Sequence, residues 1–373
     1  MRKALEAHYR RIVPGLGVCL SVGLVGVAGS TRSAPKPAFN PKLHDQKTHG
    51  STPAPTRSWT RLTDPFRTGY VHAIVAVAVD SKGVVYVAGR GDVARSTDGG
   101  ATWTSISFGL PGGVITCLAV NSQGEPVVGV GRDPAVGVFR YTGRRWLQAA
   151  GIAASRNISA FTLDSTGALI AVTAWHGDVF RSTDNGSTFT LAASNIGADG
   201  ALWTVTTAPD GSLYAAGECS QGVYRSSDNG AHWEPLGLSA DNGYKGNIFA
   251  IGFNAAGEPL VGRSVGDRAV NLQRYTGDRW VPAGAGLPGY RAVMCLTTAP
   301  DGEIFACVPD PKIPKSGLYR SADGGKTWTD YSAGLPPGNL VAKLAVDRSG
   351  NLYAVSHNAQ SEPSALYKST ATP

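Results

Sequence analysis

Charge, cysteine and long apolar runs are all scarce in this chain of 373 residues. Only 16% of the residues are Asp, Glu, Lys or Arg, and the formal net charge of +7 is confined to one end. Residues 1–30 carry a net +3 and residues 31–57 a net +4, which leaves residues 58–373 neutral overall. A neutral body lacks the broad basic surface that nucleic-acid binding needs. The 5 cysteines show no metal-ligand spacing, so no zinc site is expected, and no other cofactor is called for. One of them, Cys19, lies inside the N-terminal apolar stretch. The others are Cys117, Cys219, Cys295 and Cys307. Cys295 and Cys307 lie at equal distance on either side of Asp301, in the turn Pro300-Asp301-Gly302. A cross-strand disulfide and a pair of buried thiols both fit that placement. Beyond the N-terminus, no apolar run is long enough to span a bilayer.

The first 57 residues differ from the rest. Arg2, Lys3, Arg10 and Arg11 precede the apolar stretch Ile12–Ala28, and Ala28-Gly29-Ser30 supplies small residues. Residues 1–30 therefore read as a secretory signal peptide, with a retained N-terminal anchor as the alternative. Residues 31–57 are rich in Pro, Ser, Thr, Lys and His and read as a disordered linker. A secreted, periplasmic or cell-envelope location is expected.

Glycine is abundant at 48 residues, and much of it falls in a repeated phrase. The phrase runs Arg95–Trp103, Arg181–Phe189, Arg225–Trp233 and Arg320–Trp328, with the pattern Ser-x-Asp-x-Gly-x-Thr/His-aromatic. Degenerate copies occupy Tyr141–Trp146 and Tyr275–Trp280, and Tyr367–Thr370 keeps the incoming strand alone. Equivalent positions are Ser96, Tyr141, Ser182, Ser226, Tyr275, Ser321 and Ser369, spaced by 45, 41, 44, 49, 46 and 48 residues. That is the period of a propeller blade. A second series of turns begins at Asp80, Asn121, Asp164, Asp210, Asn254, Asp301 and Asp347. Asp or Asn there can bond its own backbone, and the flanking β-rich runs read as short buried strands.

The spacing predicts an all-β fold over residues 58–373, a seven-bladed β-propeller of four-stranded antiparallel blades. A solenoid is the competing architecture. The chain stops after the third strand of its last repeat, and Ser58–Leu62 resembles a missing fourth strand. That N-terminal strand is expected to complete the seventh blade and so remove two exposed strand edges.

These motifs resemble the Asp-box, or BNR, repeats of sialidase-like propellers, xyloglucanases, sortilin-type receptors and photosystem-assembly factors. The resemblance covers about residues 58–373. It implies that the box turns, with Asp98, Asp184, Asp228 and Asp323, are structural and lie away from the functional face. The count of seven, and the lack of an early Arg-Ile-Pro motif, separate the chain from the six-bladed sialidases.

The opposite face is where the repeats diverge. Second strands end near Arg90, Arg132, Trp175, Glu218, Arg263, Asp310 and His357. Arginines there suit a carboxylate or sulfate, and Trp175 suits a sugar ring. Glu218 and Asp178 form the candidate catalytic pair, since glycoside hydrolysis needs two carboxylates across one bond. Salt bridges to neighbouring arginines are the alternative role for both. His176, Tyr290 and Arg291 complete the candidate ligand-binding set. The blade-connecting loops add Arg67, Tyr70, His72, Arg156, Asp199, Asn242, Tyr244 and Lys245. His357 with His72 and a tyrosine would suit a uronate lyase. The expectation is a secreted, monomeric, glycan-active propeller acting on a saccharide, with hydrolysis of acidic or decorated saccharides as its catalytic form. The alternative is a non-catalytic propeller that binds protein or glycan, or an envelope scaffold.

Overall fold

The computed structural model describes residues 58–66, 74–132, 135–153, 155–197, 201–218, 222–238, 247–265, 268–288, 292–308, 317–337, 339–358 and 364–370. The leader and linker expected over residues 1–57 lie outside these. Among the described residues, no helix is long and apolar enough to cross a membrane.

Among the described residues, every element is a strand. The chain enters through β1 (Ser58–Arg61). A first unit follows, made of β2 (Ala76–Val79), β3 (Val85–Ala88), β4 (Val93–Ser96) and β5 (Thr104–Ser105). The second unit is β6 (Ile115–Val120), β7 (Pro126–Arg132), β8 (Ala135–Tyr141) and β9 (Trp146–Gln148). The third is β10 (Ile158–Leu163), β11 (Leu169–Thr173), β12 (Val179–Ser182) and β13 (Thr190–Ala193). The fourth is β14 (Ala201–Thr207), β15 (Leu213–Glu218), β16 (Val223–Ser226) and β17 (Glu234–Pro235). The fifth is β18 (Asn247–Phe253), β19 (Pro259–Val265), β20 (Arg268–Tyr275) and β21 (Trp280–Pro282). The sixth is β22 (Cys295–Thr298), β23 (Ile304–Cys307), β24 (Leu318–Ser321) and β25 (Thr329–Asp330). The last has three strands in sequence, β26 (Asn339–Val346), β27 (Leu352–Asn358) and β28 (Ala365–Thr370).

β1 supplies the fourth strand of the last unit, in the order β1-β28-β27-β26, with Trp59 opposite Ser369 and Arg61 opposite Tyr367. The expected pairing of the two chain ends is therefore observed. Among the described residues, hydrogen bonding gives six sheets where the repeat count predicts seven. The fourth and fifth units form one eight-stranded sheet because Glu218, the last residue of β15, pairs with Asn247, the first of β18. First strands of successive units lie side by side from β2 through β6, β10, β14, β18 and β22 to β26, and β26 lies beside β2. The arrangement is propeller-like.

Burial follows from this order. The inner strands β2, β6 and β10 are buried at every residue, whereas β5, β17 and β25 are exposed. Apolar clusters form between units. One joins Tyr86 and Ala88 to Leu118 and Val128, and another joins Val77 and Val87 to Tyr353 and Val355. Full burial of each such Val or Leu contributes about 1.5–3 kcal/mol. Cys295 and Cys307 sit directly opposite in register with Cα atoms 5.1 Å apart, and they form a disulfide. Cys117 is buried with its Sγ 3.6 Å from Ile158 O, and Cys219 lies outside the described residues.

The four full copies of the repeated phrase form one turn. In the first copy Ser96 Oγ donates to Asp98 Oδ1 at 2.7 Å and accepts from Gly100 N–H at 2.7 Å. Asp98 also accepts from Thr102 N–H and Thr102 Oγ1 at 2.9 and 2.6 Å. The same bonds recur around Asp184, Asp228 and Asp323, with His232 Nδ1 taking the hydroxyl's place in the third. The two central positions need left-handed backbone, at φ 60 for Asn185 and φ 88 for Gly186. That requirement explains why Asn or Gly always precedes the glycine. Burial opposes ionisation of Asp184 and Asp323, but hydrogen bonds from Thr188 and Thr327 outweigh it and hold both near about 2. The backbone N–H of His232 is the largest influence on Asp228, also held at about 2. Asp98 is lowered further, chiefly by the Thr102 hydroxyl.

An arginine belt runs through the same end of the sheets. Arg140 pairs with Glu125 at 3.1 Å, Arg181 with Asp164 at 2.8 Å and Arg225 with Asp210 at 3.2 Å. Arg274–Glu258 and Arg320–Glu303 repeat the pattern. Indole N–H groups join neighbouring units at the periphery. Trp146 donates to Ile106 O at 2.6 Å, Trp280 to Leu236 O at 2.9 Å and Trp328 to Ala283 O at 2.8 Å. The Nε1 atoms of Trp59 and Trp103, on either side of the seam where the chain ends meet, are buried without a hydrogen-bond partner.

Candidate functional site

The antiparallel register puts the box turns and the first-to-second-strand turns at one end of each sheet. The second-to-third-strand loops lie at the other, as Ala88 opposite Val93 shows for the first unit. Three groups of residues distinguish that second end.

The first is a row of bulges. The register slips between Ile115 and Cys117, Ile158 and Ala160, Leu202 and Thr204, Ile248 and Ala250, and Val341 and Lys343. The extra residue is Thr116, Ser159, Trp203, Phe249 and Ala342 respectively. Such a bulge re-aims one side chain without ending the strand. In the second and third units it is a hydroxyl that fastens the next unit: Thr116 Oγ1 donates to Ile158 O and Ser159 Oγ to Leu202 O, both at 2.6 Å. In the fourth and fifth units it is an aromatic. Trp203 and Phe249 stack with centroids 5.2 Å apart and planes 24° apart, and with Ala201 they form a small cluster of their own. Trp175, Ala292 and Met294, all partly buried, pack against it. Half of the row is thus polar and closed, and half is apolar with a partly open rim.

The second group is the β11–β12 loop. Thr173 Oγ1 donates to Trp175 O at 2.6 Å and accepts from Asp178 N–H at 3.0 Å. Gly177 lies so close to Ile196 that a Cβ would overlap the Ile196 carbonyl. His176 is exposed and takes φ 80, a conformation that costs a non-glycine residue about 1–3 kcal/mol. These constraints hold Trp175 in place. The Asp178 side chain is only 4% exposed and meets Arg156 Nη1 at 3.1 Å, while the Arg156 side chain is 30% exposed. Asp178 Oδ2 nevertheless accepts no hydrogen bond. The short distance and the missing bond are reconciled by direction: the pair is an ionic contact whose N–H groups do not point at the oxygen.

The third group is in the last unit. His357 Nδ1 and Ser364 Oγ are 2.6 Å apart. Burial, followed by the charge of buried Lys343, pushes the His357 imidazolium down to about 4, so the ring is neutral at neutral pH.

Other expected site residues are spread around the same end. Arg90 is exposed, Arg263 is buried at 2%, and Glu218 is half-buried at the junction of the fourth and fifth units. Arg132 ends β7. Asp310, Tyr290 and Arg291 lie outside the described residues, as do Arg67, Tyr70 and His72. The structure thus brings together Trp175, His176, Asp178 and Arg156. The aromatic row escaped sequence reasoning, because Trp203 and Phe249 read there as ordinary strand residues. Among the described residues, no group of three or more His, Cys, Asp or Glu is arranged to hold a metal ion.

No family model matches the sequence, and no curated protein matches it. Solved structures do share the fold. YCF48 from Cyanidioschyzon merolae is 17% identical with a TM-score of 0.61, over 83% of this chain and 98% of that one. A catalytically inactive virginiamycin B lyase from Staphylococcus aureus, solved with quinupristin, is 13% identical with a TM-score of 0.67, over 85% and 100%. The GH74 xyloglucanase from Xanthomonas campestris is 17% identical with a TM-score of 0.60, over 80% of this chain and 52% of that one. At these identities the likeness shows the fold alone: an all-β scaffold that enzymes and the extracellular domain of a putative one component system from B. thetaiotaomicron also use.

Proposed function

We propose that the chain is a closed seven-bladed propeller, secreted or held at the cell envelope, that binds an apolar stretch of a protein partner on the face opposite the box turns. The observation that carries this reading is the aromatic half-row, in which a buried Trp203–Phe249 floor is rimmed by half-buried Trp175, Ala292 and Met294. Apolar side chains of a peptide suit such a floor, since aromatic and Met surfaces dominate recognition energetics. A sugar needs an open ring face, and Trp203 and Phe249 are both buried as well as stacked on each other. YCF48 bound to D1 peptide is among the similar structures, which supports a peptide as the type of ligand.

Hydrolysis is the second reading, favoured by half-buried Glu218 beside the aromatic floor. It requires Asp178 and Glu218 to act across one bond, about 5–5.5 Å apart for retention. Asp178 is 4% exposed and lies against Arg156, which suits orientation of the arginine better than protonation of a glycosidic oxygen. The test is a peptide array and a glycan array probed side by side with the purified chain, with mass spectrometry of any glycan hits. Peptide capture without glycan turnover supports binding. Cleavage products that vanish in Glu218→Gln overturn it in favour of the hydrolase.

A further inference from the structure

Arg156 has an unusual setting. Its guanidinium rests against a carboxylate that is 4% exposed, yet its N–H groups are not directed at Asp178 Oδ2. Among the described residues its side chain forms no other ion pair or hydrogen bond. Asp178 is fixed in turn: its N–H bonds to Thr173 Oγ1, and the same hydroxyl donates to the carbonyl of Trp175. Trp175 packs on Trp203 and Phe249. One chain of contacts therefore links a tethered guanidinium with undirected donors to the aromatic floor.

We propose that Arg156 reads acid: it receives an Asp or Glu carboxylate of the partner segment, next to the apolar residue that lies on Trp175. This rests on the peptide-binding reading. A guanidinium presents paired donors that match a carboxylate in a bidentate geometry. Asp178 is a positioning residue. It holds the cation at the mouth of the third unit by charge and leaves its donors to the ligand. Charge complementarity favours the same partner. The body, residues 58–373, is neutral overall, so no net negative charge opposes an acidic segment at Arg156.

The experiment uses the full chain and fluorescein-labelled peptides with a central Phe-Leu pair flanked by Glu, by Gln or by Lys, read by fluorescence anisotropy. The Glu peptide should bind about tenfold more tightly than the Gln peptide, as expected of one well-placed carboxylate–guanidinium contact. Arg156→Gln should abolish that preference, so that the Glu and Gln peptides bind alike. Asp178→Asn should shrink the ratio of Glu-peptide to Gln-peptide affinity, a selective effect that general structural damage does not produce. If a variant fails to fold, the unmodified chain still gives an answer: its Glu preference should fade as salt rises, because the contact lies at an exposed mouth. Equal binding of Glu and Gln peptides overturns the assignment. A Glu preference that survives Arg156→Gln overturns it too and assigns the acid preference to the tail. Failure of all three peptides overturns the peptide-binding reading and this assignment together.

Discussion

Two tryptophans in equivalent places should respond unequally to one substitution. Trp328 is 3% exposed and donates its indole N–H to Ala283 O at 2.8 Å, joining the sixth unit to the fifth. Trp59 occupies the matching place on the strand that completes the last unit, and its buried Nε1 has no partner. Replacing either with Phe trims part of the indole, roughly 40 Å² of apolar surface, or about 1 kcal/mol when fully buried. At position 328 it also strands the Ala283 carbonyl, which adds about 1–2 kcal/mol. Trp328→Phe should therefore cost about 2–3 kcal/mol. At position 59 the ring is only half-buried, and removing an unsatisfied N–H returns about 1 kcal/mol, so the net change should be near zero. A gap of about 2 kcal/mol corresponds to roughly 5 °C in Tm for a domain of this size. Calorimetry of both variants reads it. Equal losses, or a larger loss for Trp59→Phe, would refute the reasoning that the seam lacks the indole bond that joins the second, fifth and sixth units to their neighbours.

Further outcomes follow from the same structure. Asp184→Ala removes the acceptor of Ser187 N–H, Thr188 N–H and two hydroxyls, and should lower stability by about 1–3 kcal/mol in urea unfolding. Asp184, Asp228 and Asp323 are held at about 2, below the ordinary carboxylate value of about 3.9. Their stabilisation is present above pH ~4 and is lost as pH falls through ~2, so Tm should drop in that window and less so in the Asp184→Ala variant. His357 has the opposite character. Its folded value of about 4 lies below the unfolded value, so the unfolded chain takes up the proton first, and stability should decline as pH falls from about 6.5 to 4. His357→Gln should flatten that part of the pH–Tm curve. Deleting residues 58–63 removes β1 and bares the edge of β28, and light scattering should show aggregation of that variant.

The repeat made most of the architecture legible before any coordinates. The turn residues are dictated locally: Asp98 with Thr102, or Asn185 with its left-handed φ, can be read from the phrase itself. The pairing of β1 with β28 was legible because Ser58–Leu62 has the pattern the last unit lacks. Merging of the fourth and fifth units was not, since it depends on one bridge, Glu218 to Asn247. The arginine belt did leave a signal, as Arg181, Arg225 and Arg320 each precede a box serine, and Arg140 and Arg274 precede the equivalent tyrosines. Its partners are turn Asp residues in two units and nearby Glu residues in three, which hides the pattern. The site was legible only in part. Trp175, His176 and Asp178 stood out because their loop breaks the repeat. Trp203 and Phe249 did not, because a bulge shifts them relative to their neighbours and only the register shows that they match Thr116 and Ser159. The link from Asp178 to Arg156 joins residues from separate loops, so no local pattern marks it.

The central claim divides the molecule into a structural end, with the box turns, and a binding end, with the aromatic half-row. The most direct measurement compares Trp175→Ala with Asp98→Ala, taking peptide affinity and Tm for each. The account predicts that Trp175→Ala weakens binding of the tightest peptide about tenfold or more with little change in Tm. Asp98→Ala should lower Tm and leave the affinity intact. Loss of binding in Asp98→Ala at full stability, or unaltered binding in Trp175→Ala, would contradict it.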